Sequence, residues 1–174
     1  RGLCSVYVSV TSLDSRLSRI LEPRAAAPER RLQTIRRLSE VGVPVGVSVS
    51  PVIPFLNEPE IERILEAAAA AGASSAFSIP LRLPWEVNPL FQDWLQRHYP
   101  DRAERVMARV RDMRGGKDND ARFGSRMRGE GIWAELMHQR FRRAADKLGL
   151  RRERRPVDLS QFVKPSLRGQ EALF

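Results

Sequence analysis

VPVGVSVSPVIPFLNEPEIERILEAAAAAGASSAFSIPL, residues 43–81, reads as strand, helix, strand. Residues 43–50 form a nearly continuous apolar run of strand length, as expected for a strand buried on both faces of a parallel sheet. Residues 58–72 (EPEIERILEAAAAAG) are an amphipathic helix ended by Gly72, and residues 74–81 (SSAFSIPL) are the next strand. Upstream the pattern is the same. Ser5 to Val10 is a β-branched strand, and a short amphipathic segment follows at residues 13–22. In the helix at residues 28–42, Pro28 suits the first turn, Leu32, Ile35 and Leu38 recur at helical spacing, and Gly42 closes the end. Strands separated by helices of this length imply consecutive right-handed βαβ units.

Three strands are too few to close a barrel, and the first has no visible N-terminal partner. The fold class expected is therefore α/β: the later βα units of a partial (β/α), TIM-like barrel followed by a helical C-terminal extension. The βα units occupy residues 1–98, the extension 99–150 and a basic tail 151–174. Helices are predicted at 88–99 and at 100–113, where Pro100 and Asp101 start the second. A Gly- and charge-rich connection, 113–131, leads to a long helix at 132–149 with Ile132, Leu136, Phe141, Ala144 and Leu148 at core spacing. Trp85, Trp94 and Trp133 sit among apolar neighbours and are read as core. The last two dozen residues lack sustained periodicity and read as an extended tail.

Composition narrows the class. With 42% apolar and 29% charged residues, the 174-residue chain is globular in character and long enough for one real core. No stretch approaches the ~20 apolar residues that span a bilayer, so no membrane partner is expected. The opening RGLCSVYVSV is strand-like, without the apolar region and cleavage site of a signal peptide. Opening in mid-strand without Met, the chain reads as a piece of something longer. Cys4 is the single cysteine, so no internal disulfide forms and a cytoplasmic setting is the default. Cys4 with only His98 and His138 cannot assemble a zinc or cluster site, and it reads as a small apolar residue at a strand start.

In a parallel βα architecture, function collects at the C-terminal strand ends. Those ends are Val10 to Asp14, Pro51 to Glu58, and Leu81 to Pro84. Asp14 and Asn57 are also good helix N-cap candidates. The succession VSVTSLDSRLSRILEPRAAAPERRLQTIRRLSEVGVPVGVSVSPVIPFLNEPEI, residues 8–61, resembles the radical S-adenosylmethionine (radical SAM) superfamily after its cluster-binding half. The branch it most resembles is that related to spore photoproduct lyase. The features carrying the resemblance are Glu22-Pro23 with Pro28, and a G-x-I-x-G-x-x-E-like segment at Pro51 to Glu58. It continues through residues 81–131.

That resemblance implies S-adenosylmethionine and a 4Fe–4S cluster as cofactors of the parent enzyme. Ser9 and Thr11 match the ribose-contacting strand end, where hydroxyls both donate and accept. Ile53 falls on the isoleucine that packs against adenine, Glu58 on the acidic residue closing the motif, and Leu83 on the next strand end along the adenine. Arg24 is either a clamp for the cofactor carboxylate or a solvated loop arginine. Pro51 and Phe55 stand where the family has glycines. Phe55 is the larger departure, because glycine there permits close approach and a positive φ. The C-x-x-x-C-x-x-C motif is absent from this sequence, so the chain alone is expected to be inactive and its first partner is the missing N-terminal half of the barrel. The parent activity implied is reductive cleavage of S-adenosylmethionine, in a lyase-like enzyme of the DNA-repair type.

The net charge of +9 favours anionic partners. A basic stripe runs through Arg140, Arg142, Arg143, Lys147, Arg151, Arg152, Arg154 and Arg155. It reads either as a phosphate-binding face for nucleic acid, with Arg140, Arg143, Lys147, Arg151 and Arg152 as the contacts, or as a solvated helix end. Gln170 to Phe174 has the outline of a peptide docking on a sliding clamp, or of a tail packing on its own domain. The competing class is a non-enzymatic basic α/β module that binds nucleic acid or a clamp.

Overall fold

A computed structural model describes residues 3–153 and 159–161. Strands β1 (Val6–Ser9), β2 (Val45–Val52) and β3 (Ser75–Pro80) form one parallel sheet in the order β1-β2-β3. Val6 pairs with Val45 and Ser9 with Ser48, and Gly46 pairs with Ser75. Six α-helices accompany the sheet among the described residues: α1 (Ser15–Leu21), α2 (Pro28–Glu40), α3 (Ile61–Ala70), α4 (Val87–His98), α5 (Pro100–Asp112) and α6 (Gly131–Lys147). This is an α/β arrangement, with sequential parallel strands as in a partial βα barrel and a helical extension after β3.

Alternation along β2 decides which face is covered. Val45, Val47 and Val49 enter a core with Ile35 of α2, Ile64, Leu65 and Ala68 of α3, and Phe141 and Ala145 of α6. On the opposite face Gly46 lets the ring of Tyr7 lie across the strand. A Cβ there would stand 2.4 Å from both that ring and Ser75 Oγ. The Tyr7 and Phe77 rings meet edge-on at 5.1 Å. A second core caps the C-terminal strand ends: Leu17, Ile53, Leu56, Leu81 and Leu83 pack with Phe91 and Leu95 of α4 and Val106 and Val110 of α5.

Helix limits follow local chemistry. Asp14 caps α1, its Oδ1 accepting from the amides of Arg16 (2.7 Å) and Leu17 (3.3 Å). Pro28 and Pro100 open α2 and α5, where the missing N–H costs nothing. Gly42 and Gly72 follow α2 and α3 with left-handed φ of 75° and 98°.

Three expectations need correction. Asn57 is not a side-chain cap; its amide is spent on longer-range bonds described below. Ile132 and Leu136 are 80% and 48% exposed. The buried stripe of α6 is instead Ala134, Met137, Phe141 and Ala145, because its packing against α3 and β3 selects that face. Trp85 is 86% exposed, in the turn before α4, with φ of 44°. Trp94 does lie against the second core, its Nε1 donating to Ile20 O at 3.0 Å, and Trp133 is half-buried against the first.

The segment from residue 151 begins in order: Arg151 forms a parallel bridge with Ser75, accepting from Ala76 N and donating to Ser74 O. Arg154, Arg155 and the Gln170 to Phe174 motif lie outside the described residues. No helix among the described residues is long and apolar enough to cross a membrane.

Candidate functional site

The ends of β1 and β2 are tied together by one side chain. Asn57, with no exposed surface, accepts from Ile53 N at 2.6 Å and donates through Nδ2 to Thr11 O and Pro51 O, both at 2.8 Å. Both ends of the amide are therefore used, which fixes its orientation and joins residues 46 apart. Beside it Glu60 Oε2 accepts from Ser12 Oγ and Leu13 N at 2.8 Å each.

The Glu22-Pro23 to Pro28 segment is anchored by Arg31. This side chain donates to Ala26 O (2.8 Å), Ser9 O (3.0 Å) and Glu22 Oε2 (2.8 Å). Thr11, which is buried, donates its hydroxyl to the same Glu22 oxygen at 3.1 Å. Thr11 therefore shapes the strand end, while the hydroxyl nearer solvent is that of Ser9, which donates to Ser50 O at 3.3 Å. Ser50 Oγ is buried with no partner among the described residues. The Ser9 hydroxyl is thus spent on the Ser50 carbonyl, and the orphan Ser50 hydroxyl is of the kind that a ligand hydroxyl would satisfy.

Phe55 itself adopts the left-handed backbone, with φ of 61°. The positive φ anticipated from the family's glycine is kept, at a cost of roughly 1–2 kcal/mol for an L-residue. Its ring offsets this by packing on Trp133 at 5.5 Å and under the Arg105 guanidinium at 4.0 Å, and its carbonyl accepts from Arg102 at 3.2 Å.

Glu58 is buried and faces inward. One carboxylate oxygen is ion-paired with Arg140 Nη1, and the other accepts a long 3.5 Å bond from Phe55 N. Arg140 also grips Glu62 through Nε (2.9 Å) and Nη2 (2.8 Å). These two residues, assigned from sequence to a cofactor and to nucleic acid respectively, partner each other across the α3–α6 contact. Ile53 and Leu83 lie fully in the second core, and Arg24 is exposed beside Glu22, Pro23 and Ala25. Arg143 and Lys147 are exposed along α6 near Glu62 and Glu66, while Arg152 pairs with Asp146 at 3.2 Å. The structure thus brings Ser9, Thr11, Ile53 and Glu58 to one end of the sheet. Of the α6 cations Arg140 joins this group through its pair with Glu58, while Arg143 and Lys147 lie further along the helix and Arg24 sits on the exposed loop between α1 and α2.

Sequence reasoning missed Arg31, Ser50, Glu60 and Arg114. Arg114 is 2% exposed and holds the end of β3, donating to Leu81 O at 2.7 Å and Arg126 O at 2.9 Å. Burial pushes its guanidinium below the usual range, which nearby Asp120 partly opposes. The only cue was its place before Gly115-Gly116.

Several carboxyls titrate low. Hydrogen bonds from Arg140 hold Glu62 below the ordinary carboxylate range. Asn88, and after it Arg111 and Gln92, do so for Asp118. Arg122 and Ser125 do so for Asp120. A carboxylate depressed in the folded state stabilises above its unfolded value, near ~4, and that stability is lost as pH falls through the folded value. Denaturation midpoints are therefore expected to change little from about pH 7 to 5 and to drop below about pH 4. A midpoint unchanged at about pH 3 would contradict this linkage.

The fit to cofactors divides. A 4Fe–4S cluster held by C-x-x-x-C-x-x-C needs three thiolates, and this chain has only the exposed Cys4. Among the described residues no group of three or more His, Cys, Asp or Glu side chains comes together for a metal ion. The cluster does not fit this chain alone. The hydroxyls of Ser9 and Ser50, at the ends of neighbouring strands, do suit a ribose diol.

Fold and strand ends together define a βα protein with its polar groups gathered at the C-terminal edge of a parallel sheet. The model of the radical SAM superfamily matches residues 1–68, from β1 through most of α3, which supports membership of that superfamily. An uncharacterized protein of Acidianus two-tailed virus is 35% identical over 77 residues, covering 41% of this chain and 26% of the relative. Uncharacterized proteins of Mycobacterium tuberculosis and Mycobacterium bovis are each 32% identical over 103 residues, covering 58% of this chain and 30% of each relative. The chain thus spans less than a third of the length of these relatives. No solved structure matches it.

Proposed function

We propose that this chain is the second half of the partial barrel of a radical SAM enzyme and forms the nucleoside side of its S-adenosylmethionine site. The superfamily match over residues 1–68, which span the two strand ends joined by Asn57, carries the reading. Ser9 and Ser50 hold the ribose, and the backbone at Ile53 and Leu83, whose side chains are buried in the second core, lies along the adenine. Thr11 and Glu58 shape the two strand ends, and Arg24 reaches the cofactor carboxylate. The upstream half, pairing on the free edge of β1, brings the cluster cysteines; the bound cofactor then supplies the radical chemistry. The chain by itself is inactive. A reduced, cytoplasmic setting suits such a cluster. The Glu22-Pro23 to Pro28 segment, fixed by Arg31, supports placement in the branch related to spore photoproduct lyase and hence a lyase-like activity of the DNA-repair type.

The test uses the full-length parent protein, reconstituted anaerobically with iron and sulfide. S-adenosylmethionine binding and formation of 5′-deoxyadenosine are expected, with affinity falling about tenfold, or ~1.4 kcal/mol, in the Ser9→Ala/Ser50→Ala variant. The 174-residue chain alone is expected to show no cluster absorbance. A stoichiometric cluster in the isolated chain, or a parent without cofactor affinity, would overturn the proposal. The second reading is a non-enzymatic basic module, using Arg140, Arg143, Lys147, Arg151 and Arg152 on nucleic acid and Gln170 to Phe174 on a sliding clamp. The net charge of +9 supports it. Salt-dependent DNA binding by a parent that shows no cofactor affinity would favour it.

A further inference from the structure

Among the described residues, the outer edge of β3 is open beyond its first residues. Ala76 N and Ser74 O bond Arg151, so strand alternation points the amide and carbonyl of Ser78 to the same outer side. No partner for them is found there among the described residues. Facing this edge is a cleft of about 460 Å³, closed on its far side by α6 and by the turn that precedes it. Phe77, Ser78, Arg128, His138, Arg142 and Arg152 line it, with Glu135 the one acid.

The charges in the cleft are available to a ligand. Arg128 and Arg142 are exposed and have no carboxylate partner among the described residues. The Arg128 backbone is held in place because its carbonyl meets His138 Nε2 at 2.8 Å. The other cationic face of α6 differs. Arg143 and Lys147 lie beside Glu62 and Glu66, which offset their field. The cleft is thus the more strongly cationic of the two faces, and it adds the backbone donors and acceptors of the β3 edge.

We propose that this cleft is a binding site for single-stranded nucleic acid. Arg128 and Arg142 contact consecutive phosphates, and the polar edge of a base meets the Ser78 backbone at the β3 edge. Single strands offer unpaired base edges beside a phosphate track in this way, which a duplex does not. A cleft of this size lies in the range of ~300–1,000 Å³ usual for sites that take one nucleotide-sized group. The site lies on the β3 edge, away from the β1 and β2 strand ends, and is independent of the cofactor reading.

The experiment is fluorescence anisotropy of the chain with a labelled oligothymidylate of about 12 nucleotides, and with a duplex of equal length, across a salt series. The single strand is expected to bind more tightly than the duplex. Arg128→Gln/Arg142→Gln should weaken it at least about tenfold and reduce the slope of log affinity against log salt by about 1.4, two phosphates at ≈ 0.7 each. Thermal melting of that variant should match the parent, since both side chains are exposed. Arg36→Gln/Arg37→Gln, two exposed cations of α2, should leave the affinity within about twofold of the parent. Absence of binding, a preference for duplex, or an equal loss from the second variant would each overturn the proposal.

Discussion

Asn57→Leu is expected to destabilise the chain by roughly 2–6 kcal/mol, because it leaves two buried backbone groups, each worth about 1–3 kcal/mol, and a half-buried third without partners at once. Ile53 N, Thr11 O and Pro51 O all depend on this one amide, at distances of 2.6–2.8 Å. Leucine keeps the branched heavy-atom skeleton but carries larger methyl groups, so some overpacking at this fully buried site adds to the lost hydrogen bonds. Asn57→Asp separates the two halves of the amide. The carboxylate still accepts from Ile53 N, but its second oxygen then faces two carbonyls, so a large loss is expected here too. Chemical denaturation with both variants checks this. The expected midpoint drops without a change in slope, and a loss below about 1 kcal/mol for Asn57→Leu would show that the strand ends hold together without it.

The contrast between Asn57 and Asp14 shows where the sequence is legible. Both are polar residues just after a strand and just before a helical turn, and both invite the reading of an N-cap. Asp14 is one, because its partners, Arg16 N and Leu17 N, are local. Asn57 bonds instead across to Thr11, a contact set by the pairing of β1 with β2, which no local pattern encodes. The apolar runs and helix stops of the βα units were readable for the same reason that Asp14 was. The ion pair of Glu58 with Arg140, 82 residues apart, was not. Each residue has a sound local reading, as a motif acid and as part of a basic stripe, and only the packing of α3 on α6 brings them together.

Trp85 and Ile132 fail for a different reason. Hydrophobicity predicts burial only where an element presents that residue to a core, and the one sits in a left-handed turn while the other is off the buried stripe of α6. Phe55 shows the converse. The family's glycine correctly signals a left-handed backbone, and the substituted side chain occupies it because Trp133 and Arg105 receive the ring.

Arg114→Met should cost about 3 kcal/mol and lower the melting temperature by roughly 6–12 °C, at 2–4 °C per kcal/mol for a chain of this size. Arg114 joins β3 to the turn before α6. Nη2 reaches Leu81 O at 2.7 Å and Pro80 O at 3.3 Å, while Nη1 reaches Arg126 O at 2.9 Å and Ser125 O at 3.4 Å. A forked guanidinium can bridge two pairs of carbonyls; a methionine of similar reach fills the space and satisfies none of them. Two opposing contributions limit the loss. Nε of Arg114 is buried without a partner, and burial already disfavours the charge, so removing the guanidinium also removes those penalties. Arg114→Lys separates charge from geometry: its ammonium keeps the charge and can serve one pair of carbonyls but not both. Its melting temperature should fall between those of the parent and of Arg114→Met. A lysine variant as unstable as methionine would assign the whole effect to the fork. A methionine variant within about 0.5 kcal/mol of the parent would remove Arg114 as the strut that holds the end of β3.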